Sequence, residues 1–154
     1  MSEKKIRLDD VMPLIRESLN DGREVTFSPR GSSMLPFLKE GRDTVTLAPP
    51  PQKLKKYDVP LYQRENGQYI LHRVVRVDDT YTCVGDNQFV LEKGVEHSQI
   101  IGVFASFVRK SRKQYPNAPK WRLYARFWHY SRPARRIWRA LRVRAARLKR
   151  KLKS

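Results

Sequence analysis

The chain has 154 residues, which is enough for one modest hydrophobic core and too few for two sizeable domains. Its formal net charge is +18, all of it carried by residues 98–154, which contain 18 basic residues and no acid. No run approaches the ~18–20 apolar residues of a membrane-spanning helix, and no apolar segment follows the charged residues 1–7, so we expect neither a spanning helix nor a secretory signal. We expect a neutral folded body with a basic appendage that seeks an anionic surface.

Apolar residues at helical spacing predict one amphipathic helix over residues 8–20. They are Leu8, Val11, Met12, Ile15 and Leu19. The turn-forming residues Asn20-Asp21-Gly22 end the pattern. This N-terminal segment, residues 1–23, is too small for a helix-turn-helix DNA-binding domain.

Residues 24–110 contain short runs rich in Val, Ile, Tyr and Thr, separated by Gly, Pro and Asp/Asn turns. Such runs about ten residues apart predict strands of a mainly β domain, either a barrel or a sandwich. The predicted strands are 25–27, 44–47, 59–64, 69–77, 81–84 and 100–108.

Residues 111–154 form a basic tail: a linker over 111–120, then two helical pieces within 121–152, divided by Pro133. The second piece has an apolar stripe, and arginines cover its other faces. The stripe consists of Ala134, Ile137, Trp138, Leu141, Ala145, Leu148 and Leu152. A stripe with Trp and Leu favours peripheral binding to an anionic membrane. Binding to a nucleic-acid phosphate backbone is the less favoured alternative, because it does not need that stripe.

Four short motifs follow one another within residues 25–108. They are Gly31-Ser32-Ser33-Met34-Leu35-Pro36, His72-Arg73-Val74-Val75, Gly85-Asp86-Asn87 and Ile100-Ile101-Gly102-Val103. A serine hydroxyl barely ionises at pH 7, so it attacks a carbonyl only if a base accepts its proton, and a neutral imidazole is suited to that task. In this order the motifs resemble the signal peptidase I family and its relatives, the SOS-repressor-type autopeptidases.

The resemblance implies a signal-peptidase/SOS-repressor-like β barrel, with the N-terminal helix and the basic helical tail added to it. It also implies a serine endopeptidase in which Ser33, rather than Ser32, is the nucleophile and His72 is the general base. Bacterial members of the family usually carry lysine at the position of His72, whereas the endoplasmic-reticulum and sporulation types carry histidine. The Ser33 N–H is the expected oxyanion donor.

A histidine base needs a partner that fixes its tautomer and stabilises the imidazolium. Asp86 is our first candidate for this acid. In the histidine-type relatives a second acid lies six residues beyond the aspartate of Gly-Asp-Asn, and here that position is Glu92, the main rival to Asp86. We expect no cofactor and no metal, since the three histidines and one cysteine lack ligand spacing.

The expected substrate is a peptide or protein precursor, which in signal peptidases lies as an extended strand beside the enzyme. We expect cleavage in trans, because residues 1–30 contain no Ala-Gly dipeptide of the kind at which SOS repressors cut themselves. The expected location is cytoplasmic, peripheral on the inner face of the membrane. The alternative is a non-catalytic adaptor that retains the β domain and binds anionic membrane or nucleic acid through its tail. A structure that holds Ser33 and His72 far apart would favour the adaptor.

Overall fold

The computed structural model describes residues 8–151, which form three α-helices and nine β-strands. In chain order they are α1 (Leu8–Asn20), β1 (Val25–Phe27), β2 (Asp43–Ala48), β3 (Pro60–Gln63), β4 (Tyr69–Leu71), β5 (Arg73–Val77), β6 (Tyr81–Val84), β7 (Glu92–Val95), β8 (Ile100–Arg109), β9 (Arg112–Gln114), α2 (Pro119–Tyr130) and α3 (Arg132–Lys151). Helices and strands take similar shares of the chain, so the fold is mixed α and β, and the prediction of a mainly β fold is not confirmed. The predicted helix over residues 8–20 is confirmed.

The strands form two antiparallel sheets. The larger sheet has the order β1-β2-β8-β3-β4, with β9 added beside β8, and the smaller has the order β5-β6-β7. Because the larger sheet ends at β1 on one side and at β4 on the other, the strands within residues 8–151 do not close into a barrel. The predicted barrel is therefore not confirmed.

The predicted strand over residues 69–77 is split at His72, and its halves belong to different sheets. Ile70 of β4 pairs with Tyr62 in the larger sheet, whereas Val74 of β5 pairs with Cys83 in the smaller sheet. The Tyr57 N–H donates to the Val74 carbonyl, and the Val74 N–H donates to the Asp58 carbonyl. These two hydrogen bonds hold the chain where it enters the smaller sheet. His72 therefore lies at the crossover between the two sheets.

Two buried apolar clusters stabilise this arrangement. The first packs Met12, Ile15 and Leu19 of α1 against the larger sheet and against Phe37 and Phe107. Each such buried side chain contributes about 1.5–3 kcal/mol. The second cluster lies around the smaller sheet and includes Leu54, Tyr62, Val74, Tyr81, Cys83, Val95 and Ile100.

The C-terminal helices begin on the body of the protein. The rings of Trp121 and Tyr124 in α2 pack against Phe37, with ring centroids 5.3 and 5.5 Å apart. Ser131 separates α2 from α3. Pro133 lies in the first turn of α3, where its missing N–H costs no helical hydrogen bond. Of the helices within residues 8–151, none has the length and apolar run required to cross a bilayer. The predictions for residues 1–7 and for Leu152 lie outside the described residues.

Candidate active site

A cavity of about 510 Å³ is lined by the two edge strands of the larger sheet and by the segment that follows β1. Ser33 and His72 both line this cavity. Most of the remaining lining is apolar, and the charged side chains are Arg30 and Glu40. The lining residues besides these four are Val11, Phe27, Ser28, Pro29, Gly31, Met34, Leu38, Leu61, Tyr69, Ile70 and Leu71. The structure thus brings the predicted nucleophile and base to one largely apolar cavity.

The segment that carries Ser33 is held by Asn87, the third residue of the Gly-Asp-Asn motif. The Asn87 N–H donates to the Ser33 carbonyl at 2.8 Å, and the Asn87 side-chain amide donates to the Ser32 carbonyl at 3.2 Å. Ser33 is half-buried, whereas Ser32 is exposed. The Gly31 N–H donates to the Glu40 carboxylate at 3.1 Å. Within residues 8–151 the Ser33 N–H has no acceptor, so it is available to bind an oxyanion, as are the N–H groups of Ser32 and Met34.

Gly85 lies where the Ser33 segment and His72 meet. A Cβ atom at this position would be 2.6 Å from the Ser33 carbonyl oxygen and 3.1 Å from Nε2 of His72. Distances below 3.0 Å are shorter than real Cβ contacts, so only glycine allows this approach. Nε2 of His72 and the Ser33 carbonyl oxygen therefore both border the Cα of Gly85. Among the described residues no hydrogen bond joins His72 to Ser33, so the two side chains share a cavity without being in direct contact.

His72 is 3% exposed, and its two ring nitrogens have different surroundings. Nδ1 is buried and has no hydrogen-bond partner among residues 8–151. It lies 3.9 Å from Oε2 of Glu92, which is too long for a hydrogen bond. Burial lowers the pKa of His72 to about 4, although the charge of Glu92 opposes this shift. The imidazole is consequently neutral at pH 7 and can accept a proton.

Glu92 is held in place by two partners from β3 and the turn after it. Arg64 donates to both carboxylate oxygens at 2.7 Å, and the Tyr62 hydroxyl donates to Oε2 at 2.8 Å. The hydrogen bonds from Arg64 are the main cause of the lowered pKa of Glu92. Glu92 is therefore an ionised carboxylate fixed on the Nδ1 side of the imidazole.

Asp86, our first candidate for the orienting acid, is paired with Arg73 and makes no hydrogen bond to His72 within residues 8–151. Arg73 donates to both carboxylate oxygens of Asp86 at 2.8 Å, and the Tyr124 hydroxyl adds a third bond at 3.1 Å. Burial acts to lower the pKa of Arg73, but Asp86 outweighs it and the pKa is raised. Adjacent residues of an extended chain point to opposite sides, so an acid that serves Arg73 does not face His72.

Sequence reasoning did not identify the parts played by Tyr62, Arg64 and Gly85. Tyr62 and Arg64 stand two positions apart, a spacing that places both side chains on one face of an extended chain. That spacing could have marked them as joint partners of one group, which is Glu92 of β7 in the smaller sheet. The close approach at Gly85 has no such signal, because it depends on how the two sheets pack.

The tail also reaches the Gly-Asp-Asn motif. The indole N–H of Trp128 donates to the main-chain carbonyl of Asp86 at 2.7 Å, and Arg135 donates to the same oxygen at 3.3 Å. The sequence predicted a helical tail but gave no indication that it packs beside the motif that holds Ser33.

Among the residues that the structure describes, no group of three His, Cys, Asp or Glu side chains could hold a metal ion. Comparison with known proteins finds no matching family model, no matching curated protein and no matching solved structure. The functional proposal therefore depends on the chemistry of the site.

Proposed function

We propose that this protein is a serine endopeptidase of the signal peptidase I and SOS-repressor type, in its histidine branch, with Ser33 as nucleophile and His72 as general base. The observation that carries the proposal is the approach at Gly85, which keeps Nε2 of His72 beside the Ser33 main chain. Three of the four motifs meet at that point, and the fourth lies in β8, the central strand of the larger sheet. This convergence also supports a β domain of the signal-peptidase type.

The proposed reaction begins with the tautomer of His72 that carries its proton on Nδ1. This proton points toward the negative charge of Glu92, and the lone pair of Nε2 is left on the Ser33 side. Nε2 accepts the hydroxyl proton while Ser33 Oγ bonds to the scissile carbonyl carbon. The Ser33 N–H stabilises the resulting oxyanion. His72 then returns the proton to the leaving amine, and water hydrolyses the acyl-enzyme.

Glu92 acts as a positioning residue in this mechanism. A base with a pKa of about 4 is weak, so proton transfer needs the imidazolium to be stabilised as it forms. Closing the gap of 3.9 Å between Nδ1 and Oε2 would create a charge-assisted hydrogen bond and raise the basicity of Nε2. Arg64 and Tyr62 keep the carboxylate in the orientation from which this closure occurs.

An extended peptide is the substrate that the cavity fits best. Its walls include β1 and β4, which are the edge strands of the larger sheet within residues 8–151 and pair with no strand on their outer sides there. A substrate strand can form main-chain hydrogen bonds with such an edge and place alternate side chains in an apolar cavity. Phe27, Met34 and Leu61 among the lining residues favour apolar side chains there.

Cleavage of a peptide library derived from a digested proteome, read by mass spectrometry, tests the activity. The proposal predicts new peptide termini with the wild-type protein and with Ser32→Ala, and none with Ser33→Ala or His72→Gln. New termini that persist in Ser33→Ala would refute Ser33 as the nucleophile. A folded wild-type protein that cleaves no peptide would favour the non-catalytic adaptor.

A further inference from the structure

Helix α3 has an amphipathic surface whose apolar side is not covered by the body of the protein. Four large apolar residues repeat at spacings that place them within an arc of roughly 100° on the helix. They are Ile137, Trp138, Leu141 and Leu148, and they are 62, 64, 53 and 61% exposed. Amphipathic helices of globular proteins normally turn such a face to the core.

The side of α3 that contacts the body is its arginine side. The guanidinium groups of Arg135 and Arg139 both lie 5.7 Å from the centre of the Phe89 ring. Arg135 also stacks on Trp128 at 3.9 Å and donates to the Asp86 carbonyl. On a helical projection these two arginines lie more than a quarter turn away from the centre of the apolar stripe. The first turns of α3 are thus fixed with the stripe directed away from the body.

The positive charge on both sides of the stripe indicates which kind of partner binds it. Residues 98–154 contain 18 basic residues and no acid, so the flanks of the stripe are entirely cationic. A second copy of this chain would bring two such helices together against their mutual repulsion. An anionic bilayer provides a partner for both the apolar stripe and its cationic flanks, since the stripe enters the acyl boundary and the arginines pair with headgroup phosphates. Tryptophan suits the same boundary, because its ring is apolar and its N–H is polar.

We infer that the stripe of α3, residues 137–148, binds anionic lipid bilayers and holds the protein at a membrane surface with the helix lying in the interface. The inference does not depend on the proposed peptidase activity. It rests on the exposure of the stripe, on the arginine contacts that orient it, and on the cationic flanks.

Co-sedimentation of the full chain with phosphatidylcholine vesicles, with and without phosphatidylglycerol, tests this inference. The chain offers a matched pair of variants: Leu141 is 53% exposed in the stripe, and Val143 is 45% exposed among the arginines. We expect binding only to the anionic vesicles, weakened about tenfold by Leu141→Ser and little by Val143→Ser. We also expect binding to fall in about 0.5 M salt, because salt screens the arginines. Equal binding to both vesicle types, or equal loss in both variants, would overturn the inference.

Tryptophan fluorescence provides a second reading that a general loss of folding would not imitate. Trp138 lies in the stripe and is 64% exposed, whereas Trp121 and Trp128 are half-buried against the body. Anionic vesicles are expected to shift the emission to the blue in the wild type and not in Trp138→Phe. A double-stranded oligonucleotide added without lipid serves as the competing partner. Oligonucleotide binding retained equally in Leu141→Ser and Val143→Ser, with no shift on vesicles, would replace the bilayer by nucleic acid.

Discussion

A methyl group at Gly85 would collide with the main chain that carries Ser33. The Cβ of Gly85→Ala would lie 2.6 Å from the Ser33 carbonyl oxygen, and a main-chain atom cannot rotate away as a side chain can. The carbonyl must therefore move by roughly half an ångström, which strains its 2.8 Å hydrogen bond from Asn87. We expect a loss of about 1–3 kcal/mol in the free energy of unfolding from this overpacking.

The same displacement moves Ser33 relative to Nε2 of His72. Misplacement of reacting groups by about 1 Å can cost 10²-fold in rate, so a smaller shift predicts labelling by an electrophilic serine-directed probe that is about 10- to 100-fold slower. Intact-mass measurement of the labelling rate, beside urea unfolding, gives both quantities. Gly67→Ala is the control, because Gly67 has a φ of +85° but no atom of the described residues within 4 Å of its Cβ position. It should lose stability and keep the labelling rate. A Gly85→Ala protein that labels at the wild-type rate would refute the close approach.

Three further predictions concern the titratable groups. The pKa of His72 is lowered from 6.5 to about 4, so the unfolded chain binds more protons than the folded protein between these pH values. This histidine therefore contributes stability that is complete above pH 6.5 and is lost as the pH falls toward 4. Between pH 7.5 and 4.5 the free energy of unfolding should fall by ~3 kcal/mol more in the wild type than in His72→Gln. The labelling rate should stay level from pH 7.5 to about 5 and fall with a midpoint near 4, whereas a midpoint near 6.5 would show that the imidazole is not desolvated. Glu92→Gln should slow labelling about 10²-fold with a modest loss of stability. Asp86→Asn should instead cost about 3–5 kcal/mol in the free energy of unfolding, because it leaves Arg73 buried and unpaired. Slow labelling in Asp86→Asn together with normal labelling in Glu92→Gln would assign the orienting role to Asp86.

The local pattern of the sequence predicted most of the elements, because their residues carry the preference themselves. The apolar spacing in residues 8–20 gives α1, and the runs at 25–27 and 81–84 give β1 and β6 with the same bounds. Two strands were missed. β7 contains only polar residues, Gly94 and Val95, and β9 consists of Arg, Lys and Gln, so neither has the β-branched or aromatic residues on which the prediction relied.

Features that depend on long-range packing could not be predicted in the same way. Both halves of residues 69–77 favour extended structure, and nothing local indicates that the first joins one sheet and the second another. The partners of the two candidate acids could not be predicted for a related reason. Asp86 and Glu92 are both close to the motif in sequence, but Arg73 and Arg64 decide which carboxylate faces which group. These arginines are themselves positioned by the sheets.

The order of the four motifs led us to expect Ser33 and His72 in one site, and both line the same cavity. The sequence did not indicate that the third motif borders both of them, through Gly85 and through the hydrogen bonds that Asn87 donates to the Ser33 segment. The tail was predicted as a separate segment, yet Tyr124 and Trp128 bond to Asp86 in that same motif. Such contacts between distant parts of the chain leave no periodic trace in the sequence.

The central claim is that Ser33 is a nucleophile activated by His72. Its most direct test is intact-mass labelling with an electrophilic serine-directed probe, comparing the wild type with Ser33→Ala, His72→Gln and the control Ser32→Ala. The account predicts one label per chain in the wild type and in Ser32→Ala, and no label when Ser33 or His72 is replaced. Labelling that survives in His72→Gln, or that is absent from a folded wild-type protein, would contradict it.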